Sequence, residues 1–244
     1  MATIKNSRRE NIIIEQNEQD NLWRHYQNQA TGVFDLSHTR LRFLAERCPP
    51  GTRVLNIGVG TGHLEKLLTA RDVVVYSLDP VEESIVKLQV ELDMGDRAKQ
   101  GYSTNIPFED GYFDKVIMTE VLEHIPTDDF HATLNEVSRV LKPGAEFTGT
   151  VPYREDLQSN EIFCPYCQLH FHRWGHYQSF DVAYLGGLLQ QHCFSVKRLY
   201  PRSFPDFRRP GLRQFLKSIF RYVLGRMGET LVGPNLYFIA KKGW

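Results

Sequence analysis

Short apolar runs alternate with amphipathic stretches along most of this chain. The apolar runs are typical of buried strands, and the amphipathic stretches carry an apolar residue every three or four positions, as helices with one buried face do. The predicted strands cover 54–57, 73–78, 98–102, 115–118, 146–151, 194–199 and 236–240. The predicted helices cover 19–29, 36–47, 82–92, 127–141 and 179–191, and a further helix begins near Leu64. This alternation predicts an α/β fold with a doubly wound, mostly parallel sheet.

Three alternate glycines, Gly58, Gly60 and Gly62, follow the first predicted strand. Glycine allows the backbone to turn sharply and lets a ligand approach where a Cβ would intrude. The helix that follows offers free amide hydrogens at its N-terminus. The next predicted strand leads to Asp79, whose carboxylate can accept both hydroxyl hydrogens of a ribose at the same edge of the sheet. The pattern therefore predicts half of a nucleotide-type cofactor site.

The glycine spacing distinguishes between cofactors. GxGxG, rather than the GxGxxG of dinucleotide folds, resembles the first motif of class I S-adenosylmethionine-dependent methyltransferases. The stretch 106–114 resembles the loop before that family's fourth strand, and Pro143-Gly144 resembles its helix-to-strand corner. The resemblance implies a Rossmann-like fold with a seven-stranded sheet and S-adenosylmethionine as cofactor. The cofactor contacts it implies are Asn56, Gly58, Gly60, Gly62, Asp79, Pro80, Tyr102, Ser103 and Ile106. A glycine turn in another α/β protein is the alternative.

The chain departs from the family pattern at Asn56. The family usually carries Asp or Glu there, which steers the amino group of the methionine part. Asparagine can accept the same hydrogen bond but brings no charge. A second departure concerns the adenine, which the family often holds with an Asp several residues before Pro107. This chain has Tyr102 and Ser103 in that region instead.

Two carboxylates and an imidazole follow the fourth predicted strand, at Glu120, Glu123 and His124. The resemblance implies that they begin the wall of the active site. They are the candidates for a general base, which is needed where the acceptor is a hydroxyl or a protonated amine. Small-RNA 2′-O-methyltransferases use a similar Glu-x-x-Glu-His set to hold a divalent metal over the acceptor ribose. A metal-dependent RNA 2′-O-methyltransferase is therefore an alternative, and it requires a further histidine that the sequence does not identify.

Cysteines and histidines cluster after the fifth predicted strand. Cys164 and Cys167 can reach one tetrahedral ion, and His172 and His176 can complete it, with His170 as a spare ligand. The arrangement resembles a zinc knuckle, and the CPxC and FHxxGH pattern resembles a methyltransferase subgroup that acts on small molecules or glycan-type acceptors. We therefore expect a closed, structural zinc site. A redox pair of cysteines, or structural cysteines with histidines that face the acceptor, are the alternatives.

The inserted lobe is expected at the carboxyl edge of the sheet, above the cofactor. Its candidate acceptor contacts are Tyr153, Arg154, Glu155, His170, Arg173 and Trp174. In the N-terminal helices, Trp23 and Tyr26 are candidate lid residues. A basic amphipathic helix is predicted over 212–226, where core packing explains the apolar face, and contact with an anionic membrane or a lipid-linked substrate is the alternative.

Composition and charge exclude several classes of function. The chain has 29 basic and 29 acidic residues, so its net charge of zero does not favour a nucleic-acid partner. The N-terminal segment is too polar for a signal peptide, and no stretch approaches the roughly 20 apolar residues of a membrane span. We therefore expect a cytoplasmic protein.

The expected organisation is a single methyltransferase domain over 1–244. Its parts are an N-terminal helical cap (1–50), a cofactor-binding core (51–152), a zinc-knuckle-like lobe (153–178) and a C-terminal part of the sheet with a helical excursion (179–244). The predicted activity is direct in-line methyl transfer from S-adenosylmethionine to a small-molecule, glycan or lipid-linked acceptor. A non-catalytic scaffold that acts through its zinc knuckle is a further alternative, because a protein can keep a fold without the catalytic function that the fold supports in its relatives.

Overall fold

A computed structural model of the protein describes residues 16–28, 37–166, 168, 170–204, 220 and 235–243. Within these ranges the helices are α1 (Gln16–Asn28), α2 (His38–Ala45), α3 (His63–Thr69), α4 (Glu82–Glu91), α5 (Thr127–Val140) and α6 (Val182–Gln191). The strands are β1 (Arg53–Ile57), β2 (Val74–Asp79), β3 (Ala98–Gln100), β4 (Phe113–Thr119), β5 (Leu141–Pro152), β6 (Glu161–Phe163), β7 (His170–His172), β8 (Phe194–Arg202) and β9 (Asn235–Lys242).

Seven of these strands form one sheet in the order β3-β2-β1-β4-β5-β9-β8. Strands β1 to β5 pair in parallel, and β9 is antiparallel to both of its neighbours. The prediction of a mostly parallel, seven-stranded sheet is therefore confirmed. The strand order reverses between β1 and β4, so the carboxyl ends of these strands border the crevice where such sheets bind ligands.

Helices cover both faces of this sheet. Successive strand residues point to opposite faces, so Leu55 and Val116 pack with α5 and α6, while Val54 and Ile117 pack with α2, α3 and α4. All four of these strand residues are fully buried. Each such side chain stabilises the fold by about 1.5–3 kcal/mol, and together they hold the carboxyl ends of the central strands in place.

The junction between α5 and β5 differs from the prediction. The sequence predicted a helix-to-strand corner at Pro143 and Gly144, whereas β5 begins directly after α5 at Leu141. Pro143 and Gly144 lie where the register between β4 and β5 shifts, and Gly144 has a φ of 74°. The physical reason is that proline cannot donate a ladder hydrogen bond, so it interrupts the strand pairing rather than preceding it.

The lobe predicted over 153–178 contains a two-stranded antiparallel sheet of β6 and β7. The amphipathic helix predicted over 212–226 lies outside the described residues, apart from Phe220. In the part of the chain that the structure describes, no helix has the length and apolar character needed to cross a membrane.

Candidate functional site

A cavity of about 190 Å³ opens at the carboxyl ends of β1, β2 and β4. The predicted cofactor residues that line it are Asn56, Gly58, Gly60, Asp79, Pro80, Tyr102 and Ser103. Gly62 and Ile106 were also predicted as contacts, but neither lines this cavity. Ile106 lies in the core, where its backbone N–H donates to Glu136 at 2.8 Å. The cavity also includes Gln27, Arg40, Thr104 and Asp129, which no sequence motif had singled out.

The glycine loop closes tightly over the sheet. Gly58 has a φ of 86°, and a Cβ at this position would lie 2.4 Å from a methyl carbon of Val121. Gly62 has a φ of 77°, and a Cβ there would lie 2.8 Å from a methyl carbon of Leu88 in α4. Gly58 therefore shapes the cavity itself, whereas Gly62 allows α3 to begin close against α4.

Asp79, the predicted ribose ligand, is buried at the end of β2. Its carboxylate accepts hydrogen bonds from the backbone N–H groups of Val59 at 2.7 Å and Val81 at 2.9 Å. Burial raises the pKa of Asp79 to about 6, although these hydrogen bonds act in the opposite direction. The side-chain amide of Gln27 in α1 makes a longer contact of 3.4 Å to the same carboxylate. A ribose hydroxyl could replace this longest contact without disturbing the two backbone bonds.

A buried carboxyl group lies directly behind Asn56. Asn56 donates from Nδ2 to Oε1 of Glu65 at 2.7 Å, and the Ser77 hydroxyl donates to the same oxygen at 3.0 Å. Burial raises the pKa of Glu65 to about 7. Because Nδ2 faces Glu65, the buried Oδ1 of Asn56 is left without a hydrogen-bond partner among the described residues. This oxygen can accept a bond from an amino group in the cavity.

Glu65→Gln is expected to remove a pH dependence of stability. The folded-state pKa of about 7 lies above the usual value of 4.5, so the folded protein binds more protons than the unfolded chain between these values. The free energy of unfolding therefore falls as pH rises through this window, by about 3 kcal/mol for Glu65. Urea unfolding at pH 5 and pH 8 should show a smaller difference in the variant, whereas the exposed Glu109→Gln should leave the difference unchanged. An equal pH difference in Glu65→Gln would contradict this account.

The three general-base candidates have different surroundings. Glu120 and His124 line the cavity, and Glu123 is fully buried outside its lining. Glu120 has a φ of 55°, a strained conformation for a residue with a side chain. Its carboxylate accepts bonds from the Thr150 hydroxyl at 2.8 Å and the Asn235 amide at 2.9 Å.

His124 is enclosed by aromatic rings. Trp23 packs edge-on against it at 4.2 Å between ring centroids, and His176 at 4.5 Å. Burial and the neighbouring His176 lower the pKa of His124 well below its usual value. Its Nδ1 is 3.1 Å from the carbonyl oxygen of Gly175, to which it can only donate. Its other ring nitrogen, Nε2, lies 3.9 Å from a carboxylate oxygen of Glu123.

The histidines of the lobe lie beside Glu155. His176 Nδ1 is hydrogen-bonded to Glu155, and His172 Nε2 lies 3.5 Å from the other carboxylate oxygen. Burial would raise the pKa of Glu155, but the two histidines outweigh it and bring the pKa to about 2. The lobe thus contains a hydrogen-bonded cluster of one carboxylate and two imidazoles.

The predicted zinc set is not confirmed. Cys167 lies outside the described residues. Among the residues that the structure does describe, Cys164 forms no group with His172 and His176 whose ligand atoms lie within 4.8 Å of one another. Backbone N–H groups orient His172, and Glu155 orients His176, which the cysteine spacing does not reveal. The four-ligand zinc set stays a prediction.

The predicted acceptor contacts do not line the cavity. They are Tyr153, Arg154, Glu155, His170, Arg173 and Trp174. Tyr26 of α1 donates to the carbonyl oxygen of Arg173 at 2.7 Å and packs against Trp174 at 5.3 Å between ring centroids. Trp23 lines the cavity, as predicted for a lid residue. The lobe therefore contacts the helix that covers the cavity, and its role in acceptor binding stays a prediction.

Comparison with known proteins points to one family. The sequence model of a protein family that is described as a methyltransferase domain matches residues 22–198. A methyltransferase of Synechocystis sp. is 28% identical over 152 residues, which cover 61% of this chain and 69% of that protein. The ubiquinone biosynthesis O-methyltransferase of Hahella chejuensis is 30% identical over 129 residues, which cover 51% of this chain and 53% of that protein.

A solved structure shows the same fold. It is the Burkholderia thailandensis 1,6-didemethyltoxoflavin-N1-methyltransferase with bound 1,6-didemethyltoxoflavin and S-adenosylhomocysteine. The TM-score is 0.65 at 17% identity, and the match covers 93% of this chain and 87% of that one.

Proposed function

Because the chain belongs to the S-adenosylmethionine-dependent methyltransferases, we propose that it transfers a methyl group in line from this donor to a small-molecule or glycan acceptor. The single observation that carries the donor assignment is that the glycine loop and the buried Asp79 line one cavity. An O-methyltransferase among the relatives supports a hydroxyl as the acceptor group.

The residues of the cavity suit the parts of the donor. Asp79 can accept hydrogen bonds from the ribose hydroxyls. The buried Oδ1 of Asn56 can accept a hydrogen bond from the amino group of the methionine part. The carboxyl of Glu65 behind Asn56 fixes the orientation of its amide. Tyr102 and Ser103 also line the cavity and are the candidates for contacts with the adenine.

Catalysis then requires alignment and exclusion of water. The bound donor supplies a methyl group that its sulfonium already activates, so the protein mainly orients the two reactants. Trp23 and Gln27 of α1 cover the cavity and help to keep water out. Glu120 and His124 line the cavity and are the candidates to receive a proton from a hydroxyl acceptor.

S-adenosylhomocysteine is expected to bind to the purified protein, and its affinity should depend on pH. The carboxylate of Asp79 must be ionised to accept both ribose hydroxyls, and its pKa is about 6 in the free protein. Affinity should therefore be constant above pH 7 and fall about tenfold per pH unit below pH 6. Calorimetric titration at several pH values measures this dependence, with NAD as the control ligand.

The acceptor class needs a separate measurement. Labelled methyl from S-adenosylmethionine should enter a small-molecule or glycan fraction and not RNA. Binding of NAD in place of S-adenosylhomocysteine would overturn the donor assignment. Transfer to RNA alone would overturn the acceptor class and favour the metal-dependent alternative.

A further inference from the structure

A second cluster of titratable groups lies beside the donor cavity, between the short 3-10 helix Leu122–His124 and the lobe. Glu123, His124 and His176 each place a possible ligand atom within 4.8 Å of the other two. The sequence could not identify a histidine that would join Glu123 and His124. The fold brings His176 to them across 52 positions of the chain.

The hydrogen bonds of the two histidines leave the same ring nitrogen free in each. His124 donates its Nδ1 proton to the carbonyl oxygen of Gly175. His176 donates its Nδ1 proton to the carboxylate of Glu155. The remaining nitrogen of each ring, Nε2, is therefore the atom that can bind a metal ion. Histidines that bind metals usually show this arrangement, with the second ring nitrogen donating to a carboxylate or a backbone carbonyl.

Glu123 supplies an independent indication of a ligand. Its side chain is 0% exposed, and neither carboxylate oxygen has a hydrogen-bond partner from another described residue. The nearest His124 atom, Nε2, is 3.9 Å from Oε1. A buried carboxyl group without a partner destabilises the fold, and a cation bound between these groups would remove that cost.

A neighbouring group of possible ligands fits a metal less well. Glu155, His172 and His176 also lie within 4.8 Å of one another. However, Nδ1 of His172 accepts the backbone N–H groups of Trp174 at 3.3 Å and His176 at 3.1 Å. The proton of His172 is therefore on Nε2, which lies 3.5 Å from Glu155 without a hydrogen bond to it and has no lone pair to offer a metal ion. Glu155 and His172 form the hydrogen-bonded support of His176.

We propose that Glu123, His124 and His176 bind one divalent transition-metal cation at the wall of the donor cavity, with Glu155 orienting His176. Two imidazoles and one carboxylate suit zinc, cobalt or manganese. Three protein ligands leave at least one coordination position open. Because His124 also lines the cavity, this position is accessible to an oxygen atom of a bound molecule. With the cation bound, His124 is a ligand, and Glu120 remains at the cavity as a candidate proton acceptor.

Cobalt(II) titration of the full-length protein after chelator treatment tests this site. We expect visible absorption bands from one bound ion, and His176→Ala should weaken the binding at least about a hundredfold. Glu155→Gln should weaken it by about 10–100-fold, because it removes the group that orients His176. His170→Ala, which changes an exposed histidine of the same lobe, should bind cobalt as the wild type does.

Two further variants separate this site from the predicted zinc knuckle and from the donor site. Cys164→Ser and Asp79→Ala should both retain the cobalt bands. Unchanged cobalt affinity in both His176→Ala and Glu123→Gln would overturn the proposal. The proposal would also be overturned if the wild type showed thiolate-to-cobalt absorption and Cys164→Ser lost this absorption together with all visible bands. The ion would then be bound by the cysteines of the predicted zinc knuckle. Binding of S-adenosylhomocysteine by His176→Ala verifies that this variant folds.

Discussion

Asp79→Ala is expected to weaken the binding of S-adenosylhomocysteine at least tenfold, and closer to a hundredfold at pH 8. The substitution removes the carboxylate that would accept the ribose hydroxyls. It also removes the acceptor of the backbone N–H groups of Val59 and Val81, which hold the glycine loop in position. A buried N–H group without a partner costs about 1–3 kcal/mol, so the loop itself should become less ordered. Calorimetry with the purified variant measures the loss.

The matched control is Asp96→Ala, which removes a carboxylate from an exposed position close to β3. Its affinity should equal that of the wild type within a factor of two. A circular dichroism spectrum that matches the wild type would exclude unfolding as the cause of lost binding. If Asp79→Ala binds S-adenosylhomocysteine as tightly as the wild type, the donor site does not lie in this cavity.

Gly149→Ala should produce a large loss of stability. Gly149 of β5 pairs with Met118 of β4 in the middle of the sheet. A Cβ at this position would lie 1.8 Å from the carbonyl oxygen of Met118, a backbone atom that no side-chain rotation can move. The two strands must therefore separate, which costs about 3 kcal/mol or more in the free energy of unfolding. Urea unfolding followed by fluorescence measures this quantity.

The same substitution at Gly187 is a control for which we expect the free energy of unfolding to change in the opposite direction. Gly187 lies within α6, and a Cβ there would meet no atom within 4 Å. Alanine favours a helix interior over glycine by up to about 1 kcal/mol, so Gly187→Ala should stabilise the protein slightly. Equal effects at the two positions would contradict the close approach of β5 to β4 at Gly149.

The sheet could be predicted from the sequence because its signals are local. Apolar runs, alternate glycines and a following acidic residue each lie within a short segment, and they predict the seven strands and the glycine loop that lines the cavity. The cover of the cavity could not be predicted in the same way. Gln27 reaches Asp79 across 52 positions, and Tyr102 donates to Asp20 across 82 positions at 2.6 Å. Neither pair has a sequence signature.

The lobe shows which information the spacing of residues does not contain. The intervals between Cys164, Cys167, His172 and His176 permit a tetrahedral site, and this prediction used ligand types without ring orientation. The structure orients His172 through backbone N–H groups and His176 through Glu155, a residue that the sequence had placed among acceptor contacts. The resemblance to methyltransferases is confirmed for the family, because a family model and the fold agree on it. Zinc binding by Cys164 and Cys167 remains a prediction.

The position of β9 in the sheet constrains the order in which the protein can fold. β9 lies between β5 and β8, and among the described strands β8 pairs with β9 alone. During synthesis, β8 leaves the ribosome before residues 235–242 and has no edge to join until they emerge. The parallel strands β1 to β5 can assemble earlier, with β5 as an exposed edge that invites pairing with other chains. Chaperone dependence and aggregation should therefore concentrate in the interval between the synthesis of β5 and that of β9.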